Sequence, residues 1–79
     1  MKPYLNHGGN SGIVAYDYDD EKFSVQFNDG CVYEYPILTI GVANYNQMIS
    51  LAENGEGLNA FIMRNREVRI GYGRKYRLT

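Results

Sequence analysis

The stretch from Phe23 to Tyr35, Phe-Ser-Val-Gln-Phe-Asn-Asp-Gly-Cys-Val-Tyr-Glu-Tyr, constrains the fold of this chain more than any other. Two strictly alternating apolar runs flank the turn signal Asn28-Asp29-Gly30 there, which is the pattern of a β-hairpin. Two registers are open. With Asp29-Gly30 as a two-residue type I′ loop, Phe27 faces Val32 and Val25 faces Glu34, so Tyr33 and Tyr35 join Ser24 and Gln26 on the polar side. With Asn28-Asp29-Gly30 as a three-residue loop and Gly30 left-handed, Phe27 meets Cys31, Val25 meets Tyr33 and Phe23 meets Tyr35. The second register keeps charge off the apolar face and is favoured, which makes Tyr33 and Tyr35 core residues. A slip of one residue would move every side chain of a strand to the opposite face.

The neighbouring segments extend this hairpin into a sheet. Ile13 to Tyr18 is rich in β-branched and aromatic residues and predicts a first strand, turned by Asp19-Asp20-Glu21 into the hairpin. Those acids and Asp17 lack the glycine and the distal glutamate of an EF-hand loop, and they read as a solvated turn. An antiparallel meander with one apolar face requires a cover. From Val42, apolar side chains fall at Tyr45, Met48, Ile49, Leu51 and Ala52, a helical spacing ended by Asn54-Gly55. Leu58, Phe61 and Ile62 then begin a second short helix. Ile37 to Gly41 reads as a connection that begins extended, and Val68 to Ile70 as a fourth strand. Residues 1–10, with Pro3, Gly8 and Gly9 and no periodic pattern, predict an extended, partly mobile arm in which His7 is a solvated loop residue. The expected fold is therefore a single α+β domain over residues 1–79, an antiparallel meander of three to four strands with two short helices packed on one face.

Composition and missing motifs narrow the function. A chain of 79 residues buries only about 60–65% of the surface it exposes when unfolded, which favours a shallow site over a deep pocket. The single cysteine, Cys31, excludes an internal disulfide, suits a reducing cytosol and sits in a strand as a structural thiol. No signal-peptide pattern opens the chain, and no apolar run approaches the roughly 20 residues of a membrane span. These features predict a soluble cytoplasmic protein. Gly-x-Ser-x-Gly, His-Glu-x-x-His, Cys-x-x-Cys and a phosphate loop ending in Gly-Lys-Ser/Thr are all missing, and one histidine with one cysteine makes no metal site. Gly71-Tyr72-Gly73 lacks the strand-to-helix setting of a nucleotide fingerprint and reads as a flexible turn. The carboxylates cluster at turns, where solvent denies them the burial that tunes a general acid. The expectation is a non-catalytic protein without a cofactor.

Asn10-Ser11-Gly12-Ile13, Ala15-Tyr16-Asp17 and the triplet Tyr33-Glu34-Tyr35 together resemble the KTSC domain, a module named for the C-terminus of some lysyl-tRNA synthetases and also found as a stand-alone small protein. The resemblance runs from about Asn10 to Arg66, and its hallmark is the central Tyr-x-Tyr. It implies a fold more than a function, with RNA binding as the suggested role. Gly55-Glu56-Gly57-Leu58-Asn59 stands where the family usually has Ser-Lys-Gly, so the match loosens there.

Charge is distributed unevenly along the chain. Residues 64–79 hold six of the eight basic residues, Arg64, Arg66, Arg69, Arg74, Lys75 and Arg77, against the single acid Glu67. The preceding 63 residues carry Lys2 and Lys22 against eight acids. Arginine forks bind phosphate bidentately, and Tyr72 and Tyr76 offer faces on which bases can stack. The candidate ligand-binding set is thus Arg64, Arg66, Arg69, Tyr72, Arg74, Lys75, Tyr76 and Arg77, with RNA or another phosphate-bearing ligand as partner. Three other readings compete: an interaction module or small phage-type inhibitor docking on an acidic protein surface; an oligomeric sponge for a nucleotide ligand; and a solvated strand whose cations neutralise the acidic turns or guard an edge.

Overall fold

Five strands, β1 (Lys2–Pro3), β2 (Ile13–Tyr18), β3 (Lys22–Phe27), β4 (Cys31–Pro36) and β5 (Arg74–Arg77), form one antiparallel sheet whose spatial order follows the sequence. Four helices, α1 (Ile37–Ile40), α2 (Val42–Asn54), α3 (Leu58–Arg64) and α4 (Arg66–Arg69), are inserted between β4 and β5. The computed structural model describes residues 1–9 and 11–78; Asn10, which ends the expected arm and opens the family resemblance, and Thr79, which ends the basic strip, lie outside the described residues. The α+β class holds. The strand count does not: β2, β3 and β4 are the expected meander, and an edge strand is added on each side of it.

The hairpin adopts the three-residue-loop register, with Phe23 opposite Tyr35 and Val25 opposite Tyr33. Gly30 makes this possible at φ 89°, a region an L side chain rarely adopts, and its N–H donates to the Phe27 carbonyl at 3.0 Å. Asp29 Oδ1 accepts the Cys31 N–H at 2.9 Å and so closes the loop. One sheet face then carries Tyr16, Phe23, Val25 and Tyr35, which form a buried cluster with Met48 and Ala52 of α2, Leu58 and Ile62 of α3 and Val68 of α4. The rings of Tyr16 and Phe23 stack with centroids 6.0 Å apart. Tyr35 is 2% exposed, as expected. Tyr33 is only half-buried, because its ring neighbours are Phe27, Tyr35 and the exposed Tyr72.

The helical cover follows the expected periodicity with one exception. Met48 and Ala52 are buried and Tyr45, Ile49 and Leu51 partly so, while Val42 at the first position of α2 faces solvent. Gly55 ends α2 in the left-handed region at φ 77°, donating its N–H to Leu51 and Ala52 carbonyls. Leu58 and Ile62 seat α3 on the core, with Phe61 partly buried beside them. Among the described residues no helix is long and apolar enough to cross a membrane.

Three expectations are corrected. The N-terminal segment is extended as expected but is tied to the body of the protein and not a mobile arm: Lys2 and Pro3 pair with Tyr16 and Ala15, and Tyr4 is buried. The Tyr4 hydroxyl accepts the Leu58 N–H at 3.3 Å, serving a helix start that has no side-chain cap of its own. The His7 N–H donates to the Gly55 carbonyl at 2.8 Å, so the segment also reaches the end of α2. Ile37 to Ile40 is one helical turn, not an extended connection; it buries Ile40 and leaves Leu38 to solvent. Val68 to Ile70 is no strand, since Val68 and Arg69 belong to α4 and the edge strand comes later, at β5.

Two measurements check this packing. Tyr35→Ala is expected to cost about 3–5 kcal/mol in urea titrations, the range of large aromatic truncations, and Tyr33→Ala clearly less. Cys31 is a free, buried thiol, so a thiol reagent should label it slowly in the native protein and fast in denaturant.

Candidate nucleic-acid interface

The basic residues reach their positions through two tight turns. At the end of α3, the Asn65 side chain donates to the Phe61 carbonyl at 2.9 Å, and the Asn65 carbonyl accepts the N–H groups of Val68 and Arg69 at 3.0 and 2.8 Å. The chain therefore enters α4 at once. This single turn buries only Val68 and leaves Arg66, Glu67 and Arg69 outside. Gly71 follows in a space so close that a Cβ would lie 2.4 Å from the Glu67 carbonyl oxygen and 3.1 Å from Ile40 Cγ2. The Gly73 N–H then donates to the Glu34 carbonyl at 2.8 Å and starts the pairing of β5 with β4.

Strand alternation divides the basic strip between two faces. Lys75 lies opposite Tyr33 and Arg77 opposite Cys31, on the side where the helices pack. Arg74 lies opposite Glu34 and Tyr76 opposite Val32, on the open side. The Arg74 guanidinium is 4.5 Å from the Tyr76 ring centroid. A hollow of about 350 Å³ on that open side is lined by Asp17, Asp19, Glu34, Lys22, Ser24 and Tyr76, an acidic surface.

The helix side holds a different groove, of about 420 Å³, lined by Phe27, Tyr33, Tyr35, Met63, Arg69 and Tyr72, with Asn28 and Asp29 at its hairpin end. Tyr33 is its centre. The ring makes edge contacts with Phe27 at 5.4 Å and with Tyr72 at 4.9 Å, and stacks on Tyr35 at 6.4 Å between centroids. Lys75 Nζ lies 5.2 Å from the Tyr33 centroid. The adjacent Tyr33 raises the pKa of that ammonium above its ordinary value, so it stays charged at neutral pH. Arg69 Nη1 donates to the Met63 carbonyl at 2.9 Å, which ties the guanidinium to the groove wall. Burial pushes the Tyr35 phenol far above its ordinary range and keeps it neutral.

Of the residues expected from sequence, Arg69, Tyr72 and Lys75 thus come together around Tyr33 and Tyr35, with Arg77 near Asp29 at the hairpin end. Arg74 and Tyr76 face the other way. Arg64 and Arg66 are exposed but lie outside the groove lining. All six basic residues of the strip are exposed, and among the described residues none has a carboxylate partner; the ion pairs are Lys2–Glu53 at 3.5 Å and Lys22–Asp19 at 3.4 Å. Asp19 is thus paired with Lys22, next to it in the turn. Sequence reading missed Phe27, Asn28, Asp29 and Met63 as lining residues. The alternation that places Phe27 on the face of Tyr33 was a usable signal for the first of them; nothing local marked Met63.

No family model, curated protein or solved structure matches this chain.

The two turn aspartates give the fold a defined acid response. Asp19 accepts the N–H groups of Glu21 and Lys22 at 2.8 and 3.0 Å, and Asp29 accepts that of Cys31, so both carboxyls are held below the ordinary value of 3.8. A depressed folded pKa contributes stability that is complete above the unfolded value and disappears as pH falls through the folded one. Melting temperature is therefore expected to drop below about pH 4, and Asp29→Asn should melt somewhat earlier than the unsubstituted protein at pH 7 and converge with it as pH falls below about 4.

Proposed function

We propose that this protein is a small non-catalytic module that binds single-stranded RNA through the surface between α3 and β5. The observation that carries the reading is the set of six exposed cations in residues 64–77, none with a carboxylate partner among the described residues, three of which, Arg69, Lys75 and Arg77, stand around an aromatic groove. Unpaired arginines and lysines cost little to bring against phosphate, since no internal ion pair must first be broken. The tyrosines supply stacking surface, which every base accepts whatever its identity. The resemblance of Tyr33-Glu34-Tyr35 and its surroundings to the KTSC family supports the same reading. A cytoplasmic location with a reduced Cys31 belongs to the proposal as well.

Binding of a labelled single-stranded RNA, followed by fluorescence anisotropy over a salt series, tests it. Each phosphate contact in a single strand contributes about 0.7 to the slope of log affinity against log salt, so Arg69→Gln with Lys75→Gln should weaken binding and flatten the slope by at most about 1.4. Melting should be nearly unchanged, because exposed charge changes usually alter stability by less than about 0.5 kcal/mol. No measurable RNA affinity in the unsubstituted protein at low salt would remove the proposal. An acidic protein surface or a small nucleotide would then be the partner to seek.

A further inference from the structure

The groove centred on Tyr33 has features that a phosphate-binding surface alone does not require. A patch that only neutralises a sugar-phosphate chain needs exposed cations; it has no use for a concavity walled by Phe27, Tyr33, Tyr72 and Met63. Phe27 and Tyr33 pack partly against the core, but Tyr72 and Met63 are poorly explained as core. Tyr72 is 41% exposed and Met63 46%, so two large side chains stand at the mouth with much of their surface open to solvent. The volume of about 420 Å³ lies within the roughly 300–1,000 Å³ of ordinary ligand pockets and is ample for one heterocyclic base.

The charges around the groove indicate what enters it. Arg69 lines the wall, Lys75 stands over the Tyr33 ring, and Arg77 lies near enough to Asp29 to help hold its carboxyl low. The occupant therefore carries negative charge outside the groove and a flat, polarisable group within it. Asn28 and Asp29 bring an amide and a carboxylate to the hairpin end, the types of group that hydrogen-bond base edges. The acidic hollow on the opposite face of the sheet repels the same ligand, which leaves the helix side as the face it meets.

We propose that this groove is a base-binding subsite: one unstacked base of a single-stranded RNA inserts beside Tyr33 and Tyr72, while its flanking phosphates meet Arg69, Lys75 and Arg77. The inference rests on the RNA-binding reading above and adds the position at which the base is held. Stacking requires a ring and not a hydroxyl, so Tyr72→Phe should retain binding where Tyr72→Ala loses it.

Two labelled strands of equal length, one of normal RNA and one of abasic sugar-phosphate, separate the two readings. The unsubstituted protein is expected to bind the normal strand about tenfold more tightly, and Tyr72→Ala to remove most of that difference while leaving the salt slope in place. Ring-proton shifts of Tyr33 and Tyr72 in the unsubstituted protein should move with the normal strand and not with the abasic one, a result independent of any variant's folding. Equal affinity for both strands, with the ordinary salt slope and unmoved ring protons, would overturn the base subsite and leave phosphate binding standing. No affinity for either strand at low salt would overturn both.

Discussion

Everything else in this structure depends on the register of β3 against β4. Gly30 in the left-handed region sets a three-residue loop, and the loop sets Phe23 opposite Tyr35. Shifted by one residue, β4 would offer the helices Glu34 in place of Tyr33 and Tyr35, while Phe23 and Val25 stayed where they are. A carboxylate beneath α2 and α3 would then have to be desolvated without a partner, at a cost larger than the hairpin could sustain. The same register decides the site. Because Tyr33 lies opposite Val25 and Phe27 ends the strand, both rings come to the helix side at the hairpin end, where the cover is incomplete.

The helical insertion explains why that cover stops short. The chain leaves the sheet at Pro36 and returns at Arg74, so the four helices must fit over a meander already closed by its own hydrogen bonds. Met48, Ala52, Leu58, Ile62 and Val68 reach the core over Phe23, Val25 and Tyr35. Past Val68 the chain turns back through Gly71, pressed between the Glu67 carbonyl and Ile40 with no room for a side chain. Tyr72 then stands at the rim as the strand begins. A groove remains between helix and sheet because the return path is short.

Legibility followed the length of the pattern. The hairpin and α2 were readable because each repeats its period several times and is ended by a glycine with a positive φ, Gly30 and Gly55. The short elements were not. The pairing of β1 involves only Lys2 and Pro3, and Tyr4 is held in part by a hydrogen bond to Leu58, 54 positions further along the chain. Val68 is the one buried residue of α4, and a lone buried valine between arginines satisfies a strand as well as a helical turn. The basic strip was evident as composition, but its division between two faces was not. That division depends on where β5 starts, which tertiary hydrogen bonding at Gly73 decides.

The near-neutral total charge of this chain does not cancel the positive charge beside the groove, and distance is the reason. Asp19, Asp20 and Glu21 form the turn before β3, whereas Asn28 to Gly30 form the loop after it. A six-residue strand at about 3.3 Å per residue separates the two ends by about 17–20 Å, more than twice the roughly 8 Å over which charges act in physiological salt. The acidic turn therefore cannot quench Arg69, Lys75 and Arg77 beside the hairpin loop. Glu34 is nearer along the sheet, but alternation places it on the opposite face from Tyr33, alongside Arg74. Among the described residues Asp29 is the one carboxylate that lines the groove, and its Oδ1 is engaged by the Cys31 N–H. A protein with a formal net charge of −1 can in this way present a locally cationic groove, which is the field an RNA strand would meet at close approach.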